Sequence, residues 1–371
     1  MAQRFHNVQA LRAVACLLIL LVHLRIWDHM FAGGTPCVPG YGALDYFGIA
    51  CVDLFFVLSG FIIFGTNRKH IGRPAAVPGY LFRRAWRIYP TYWAGVALML
   101  ASRAAFFGWP PLDAESVRLL PEVLTLAPLP LHNPLLNPAW TLTYEVMFYA
   151  AFGALLCLPP RAALAGLGAW GAVVTAGLFT TGPTDPWAVH PLSPFVLEFL
   201  AGCGIAWLAG RGALRWPGAA LVAGLGWGAA AAVILAGVPG LNGTDLASQR
   251  VRVLGFGPAV VLLVYAGVAA EGRWPRRVPR WLLLVGDASY SLYLSHFAVL
   301  TAAVYVGMRV PHTRLPHLIG FGVTLAAVFA VGFAFYALVE KPLLNVGRRR
   351  PPAPVVDRPP VEAPAPVRRA A

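Results

Sequence analysis

Ten stretches of this chain are apolar over roughly the 20 residues that cross a bilayer, and no other feature of the sequence limits its fold so strongly. They lie near residues 10–31, 44–66, 88–107, 139–158, 161–181, 191–210, 217–238, 251–270, 281–308 and 316–339. In lipid only helices and closed barrels satisfy their own backbone. Segments this long and continuous predict an all-α, multi-pass transmembrane helical bundle of about ten spans.

A net charge of +14 would suit a nucleic-acid binder, but the position of the charges argues otherwise. With a cytoplasmic N-terminus, the inner segments carry 22 of the 29 Lys and Arg. That is the positive-inside rule, and with an even number of spans both termini are cytoplasmic. The polar stretch around Arg4 followed by an apolar run has the outline of a signal peptide; the run is long for one and no small-x-small site follows, so it is expected to be retained.

Domain organisation is expected to be simple. Residues 1–342 form the membrane domain, and residues 343–371, rich in Pro, Ala and Arg, form a disordered cytoplasmic tail. The segment Gly108–Pro138 carries seven prolines and reads as a structured lid or mouth. Of five cysteines, Cys16, Cys51, Cys157 and Cys203 fall in spans and read as small buried hydrophobes, while a Cys37–Cys51 bridge is compatible with the topology. No metal-binding spacing is present, and no Walker A loop.

Ionisable groups inside the spans carry the functional signal, because burying them in lipid is costly. Arg12 and His23 share the first span, eleven residues apart. Eleven steps of about 100° bring a helix back to within about 20° of its start and advance it about 16 Å. Both side chains therefore point the same way, one near a membrane surface and the other deep. Counted from the outer ends of their spans, His23, Asp53, Glu145 and Glu198 lie eight, nine, six and seven residues in, a single layer about 9–14 Å deep. A polar chamber is expected there, with His23 as general base oriented by Glu145 or by Asp53. Each group has a plainer alternative as a hydrogen-bond anchor between helices.

Arg84 and Arg87, three apart at the start of the third span, share a helix face, and guanidinium forks suit phosphate. Their plainer alternative is flanking positive charge. In the ninth span Ser289, Tyr290, Tyr293 and His296 make a polar and aromatic stripe in which His296 is expected to line the cavity rather than act as the base.

These motifs together resemble the acyltransferase-3 family of integral-membrane O-acyltransferases, from Val8 to Pro342. The matching stretches are Arg12 with ten residues then His23, Val52-Asp-Leu-Phe-Phe-Val-Leu-Ser-Gly-Phe61 with Asp53 and Ser59, Arg84-Ala-Trp-Arg87-Ile-Tyr-Pro90, Trp140-Thr-Leu-Thr-Tyr144-Glu145, and Ser289-Tyr-Ser-Leu-Tyr-Leu-Ser-His296. The resemblance implies transfer of an acyl group, commonly acetyl from acetyl-CoA, to a hydroxyl of a glycan, glycolipid or macrolide. It implies an essential role for Arg12 and His23, and the phosphates of the acyl-CoA donor are expected near Arg84, Arg87 and Arg12. The chain departs from the family where Thr replaces Ser around Trp140, where Ser295 precedes the final His, and where Gln9-Ala10 precedes Arg12. The implied partners are membrane lipid, an acyl-CoA donor and a hydroxyl-bearing acceptor in a bacterial inner membrane, with a homo-oligomer compatible and nucleic acid not expected. A proton-coupled transporter or flippase of sugar-containing substrates is the competing class; many such transporters are built from two related halves, and no internal repeat is visible here.

Overall fold

The computed structural model describes residues 5–31, 41–108, 114–128, 133, 135–180, 182, 185–236, 238, 245–271, 273, 278–309 and 314–349. The helices are α1 (His6–Phe31), α2 (Tyr41–Asn67), α3 (Val77–Phe107), α4 (Ala114–Arg118), α5 (Leu120–Thr125), α6 (Trp140–Leu156), α7 (Pro160–Gly177), α8 (Pro186–Val189), α9 (Phe195–Gly210), α10 (Pro217–Ile234), α11 (Leu246–Ala269), α12 (Arg280–Gly307), α13 (Arg314–Phe335) and α14 (Lys341–Arg349). No strand occurs among the described residues. Each of the ten apolar stretches coincides with one long helix, and among the described residues six helical segments are long and apolar enough by themselves to cross a membrane. The protein is an all-α, multi-pass membrane bundle.

Helix directions follow from cross-helix contacts. On α1 and α12, Gln9, Arg12 and His23 meet Asp287, Ser289 and His296, so these two run the same way. So do α3 and α12, where Tyr290 bonds the Ile88 carbonyl and Ser102 the Ala298 carbonyl. The chain neighbours α10 and α11 are opposed. Counting only the ten long helices in chain order, the first, third and ninth (α1, α3 and α12) run the same way and the seventh and eighth (α10 and α11) are opposed, the pattern of a chain passing back and forth.

The tightest seam joins α2 to α9. Gly60 faces the Phe199 carbonyl and Gly202 faces the Val57 carbonyl, with no room for a Cβ at either glycine. Small residues allow such backbone approach, which substitutes for the hydrophobic drive that lipid removes. Phe148 stacks on Phe199 at 4.2 Å between ring centroids and ties α6 to the same seam.

The described part of the segment between α3 and α6 runs back along the side of α3, with Val123 and Leu126 buried and Leu124 exposed. Tyr89, Tyr92 and Trp93 donate to the carbonyl oxygens of Thr125, Val123 and Leu124 at the end of α5, at 2.6, 2.7 and 2.9 Å. Those α3 residues lie 14–18 positions before its last residue, or roughly 21–27 Å along the axis. Side chains thus satisfy carbonyls that would otherwise be stranded at depth. The chain then enters α6 at the level of Tyr293, whose hydroxyl donates to the Pro138 carbonyl at 2.7 Å and lies 3.0 Å from Thr141 Oγ1.

Two expectations are corrected. Residues 343–349, assigned from sequence to the tail, continue helix α14, while the rest of the tail lies outside the described residues. Cys157 is exposed whereas Cys16, Cys51 and Cys203 are buried; Cys37, and with it the Cys37–Cys51 pairing, lies outside the described residues.

Candidate active site

Arg12, Arg84 and Arg87, drawn from α1 and α3, line one cavity of about 170 Å³ together with Ser59, Glu145, Ser289 and Tyr290. Each guanidinium is held from the side. Arg12 donates to Ser289 Oγ at 2.9 Å and to Gln9 Oε1 at 3.3 Å. Arg84 donates to Thr66 Oγ1 at 3.1 Å and lies 5.5 Å from the Tyr149 ring centroid. Arg87 lies 5.5 Å from the Tyr290 ring and donates to Glu340 Oε1 at 2.8 Å. Glu340 is fully buried and also accepts from Ser291 Oγ at 2.6 Å. It closes a five-residue π-helical turn, Tyr336–Glu340, and such turns recur at functional sites because they re-aim a side chain.

Glu145 belongs to this end of the cavity. It accepts from Ser59 Oγ at 3.1 Å and from the Tyr149 hydroxyl. Three guanidiniums meet two carboxylates here, Glu145 on the cavity wall and Glu340 behind Arg87, so positive charge is in excess.

Neither His23 nor His296, which was expected to line the cavity, is part of its wall: His23 stands one helical turn beyond the lining residue Ile19. Its partner is His296, one turn beyond the cavity-lining Tyr293. The two rings stack with centroids 5.0 Å apart, and His296 Nε2 lies 3.0 Å from His23 Nδ1. The His23–Glu145 pairing expected from sequence is absent: α6 begins at the level of Tyr293, so Glu145 lies a further turn toward the arginines.

Asp53 does not orient His23 either. Its carboxylate is bound by Arg252, with Arg252 Nε 2.8 and 3.0 Å from the two oxygens and a further bond from the terminal nitrogen. Both are buried, and the guanidinium lies 4.8 Å from the Phe195 ring and 5.7 Å from the Trp140 ring. Glu198 is buried nearby with neither oxygen hydrogen-bonded among the described residues. Tyr144 accepts from Gln249 Nε2 at 3.0 Å, and Gln249 accepts from Ser193 at 2.6 Å. Trp140, Tyr144 and Glu198 therefore belong to a compact polar cluster rather than to the cavity wall.

The single layer of four ionisable groups thus resolves into three places: Glu145 among the arginines, His23 with His296, and Asp53 with Glu198 around Arg252. Sequence reading missed Arg252, which sits near the start of its apolar run and looks like flanking charge, and Glu340, whose position depends on an irregular helical turn. Among the described residues no group of His, Cys, Asp and Glu is placed to hold a metal ion.

No solved structure matches the chain. An exopolysaccharide production protein, ExoZ, of Rhizobium meliloti (strain 1021) is 34% identical over 325 residues, covering 82% of this chain and 92% of that protein. A protein described as protein 2 in the picA locus of Rhizobium radiobacter is 31% identical over 173 residues, 41% of this chain and 84% of its own length. A family model described as an acyltransferase domain matches residues 5–337, nearly the whole helical bundle and every residue of the cavity. By that match, and by the five ordered motifs within it, the chain belongs to the acyltransferase-3 family and is a membrane O-acyltransferase.

Proposed function

We propose that the protein acetylates a bacterial exopolysaccharide, or the lipid-linked precursor of one, using acetyl-CoA as donor. The observation that carries this reading is the cavity itself. It runs from Arg12, Arg84 and Arg87 to Ile19 and Tyr293, one helical turn short of His23. Guanidinium groups at one end suit the phosphates of the donor, and an imidazole one turn past the other end suits proton transfer at a thioester. The ExoZ relative favours a polysaccharide acceptor over a macrolide.

In this reading the chain crosses a bacterial inner membrane ten times with both termini in the cytoplasm, and the arginine end faces the cytoplasm, where acyl-CoA is made. His23 takes the proton of the acceptor hydroxyl while that oxygen attacks the acetyl carbonyl. The carbon–sulfur bond breaks, and the same proton passes from His23 to the departing sulfur. Ser59 and Tyr149 hold Glu145 across from the arginines, where it offsets part of their charge when no donor is bound.

The test uses purified protein in proteoliposomes, labelled acetyl-CoA and exopolysaccharide from cells lacking the chain. His23→Ala should abolish acetate incorporation while CoA still binds. Arg84→Ala together with Arg87→Ala should weaken CoA binding by at least about tenfold, the loss of one or two charge-assisted bonds. Wild-type turnover by His23→Ala would overturn the reading.

A further inference from the structure

His296 has no role in the scheme above, yet its ring is fully buried and makes two directed contacts. Its Nδ1 lies 3.2 Å from the Leu292 carbonyl oxygen one turn earlier on α12, and its Nε2 lies 3.0 Å from His23 Nδ1. A carbonyl oxygen only accepts, so Nδ1 of His296 carries the hydrogen. The rest of its surroundings are the rings of Tyr293, Phe297 and His23, with no carboxylate bonded to it. A lone charge in such a place is too costly, so the ring is uncharged and its Nε2 is a bare acceptor. The hydrogen in the bond between the rings therefore comes from His23 Nδ1.

That assignment fixes the other side of His23. With its single hydrogen on Nδ1, the lone pair sits on Nε2, which has no hydrogen-bond partner among the described residues. We propose that His296 is a positioning residue that locks His23 in the Nδ1–H tautomer and so presents Nε2 as the base. This rests on the reading of His23 as base. The logic is that of the serine hydrolases, where a buried acceptor behind the histidine sets its tautomer and supports the imidazolium that forms. Here a second imidazole takes the place of the carboxylate.

When Nε2 of His23 receives the hydroxyl proton, the Nδ1–H bond to His296 strengthens because its donor is now charged. The proton then leaves by the same Nε2 to the sulfur, and His296 gains and loses none.

The relation is tested with His296→Leu, His296→Gln and His23→Ala in the same proteoliposome assay, reading kcat and KM for acetyl-CoA together with CoA binding. The amide oxygen of Gln can accept from His23 Nδ1, whereas Leu cannot. His296→Leu should lower kcat by about 10- to 100-fold, the usual effect of removing a histidine's orienting partner. KM for acetyl-CoA and CoA affinity should stay unchanged, because the arginine end is untouched. His296→Gln should keep kcat within about threefold of wild type. A wild-type kcat in His296→Leu would overturn the proposal. Loss of activity in His296→Gln with intact CoA binding would overturn it too, and this second variant decides the matter where His296→Leu does not fold. Activity in His23→Ala would instead defeat the reading of His23, a separate result.

Discussion

Asp53→Asn separates a structural from a chemical role for Asp53. Asp53 and Arg252 are 0% and 3% exposed and share several hydrogen bonds between α2 and α11. Removing the carboxylate's charge leaves the buried guanidinium with only Glu198, which makes no hydrogen bond to it among the described residues, and breaking comparable buried pairs costs about 3–5 kcal/mol. At about 2–4 °C per kcal/mol the thermal midpoint of the detergent-solubilised protein should fall on the order of 10 °C. Replacing the pair by apolar side chains of similar volume, Asp53→Leu with Arg252→Met, together with Glu198→Gln so that no acid is left without its cation, should recover most of that loss, since the desolvation of the charges disappears. Acetyl transfer by the triple variant should also return, because none of the three residues lines the cavity. Intrinsic tryptophan fluorescence and acetate incorporation measured on the same preparations decide the question. A triple variant that folds with a wild-type midpoint yet transfers nothing would show that this charged cluster takes part in the chemistry, and an unchanged midpoint in Asp53→Asn would show that the pair does not hold α2 to α11.

Three further outcomes are expected. Glu340→Gln should raise KM for acetyl-CoA several-fold with little change in kcat, because Arg87 loses the carboxylate that aims it; equal loss in both constants would contradict this. Gly202→Ala should destabilise the protein by about 1–3 kcal/mol or more, read as a lower midpoint, because its Cβ meets the Val57 carbonyl of α2 and the two helices must separate; a wild-type midpoint would mean the seam is looser than described. Asp245 caps α11, accepting from Ser248 N–H at 3.0 Å and Ser248 Oγ at 2.6 Å, and those bonds hold its carboxyl below the usual range. Its contribution is therefore complete above about pH 4 and fades as the pH falls below that, so protection from hydrogen exchange in the first turn of α11, taken relative to the intrinsic rate, should fall in acid and should already be missing at neutral pH in Asp245→Ala.

How much of this was legible in the sequence depends on the range of the interaction. The ten helices follow from local runs of apolar residues, each of which is enough to specify a helix in lipid. Arg84, Arg87 and Arg12 line one cavity, and their shared position near the inner ends of spans is itself a local property. The partner of His23 did not, because 273 residues separate it from His296 and helix order around a bundle leaves no mark on hydropathy. Glu145 was misplaced for another reason. Counting depth from the start of a span assumes that the span starts at the surface, and α6 starts near the middle because Tyr89, Tyr92 and Trp93 hold α5 down. Arg252 shows the same weakness from the other side: a charge near the start of an apolar run was taken as a surface anchor, yet it is sealed against Asp53.

Arg12 and His23 belong to one unbroken helix, and peptide geometry alone sets about 16 Å of rise between their backbones. With acyl-CoA as the proposed donor, that interval would work as a ruler. Every acyl-CoA places its thioester at the same reach from its phosphates, whatever acyl chain it carries, so a fixed interval reads the carrier and is blind to the cargo. Discrimination between acetyl and longer acyl groups must then be made by the space beyond the imidazoles, where a tail of added carbons would have to go.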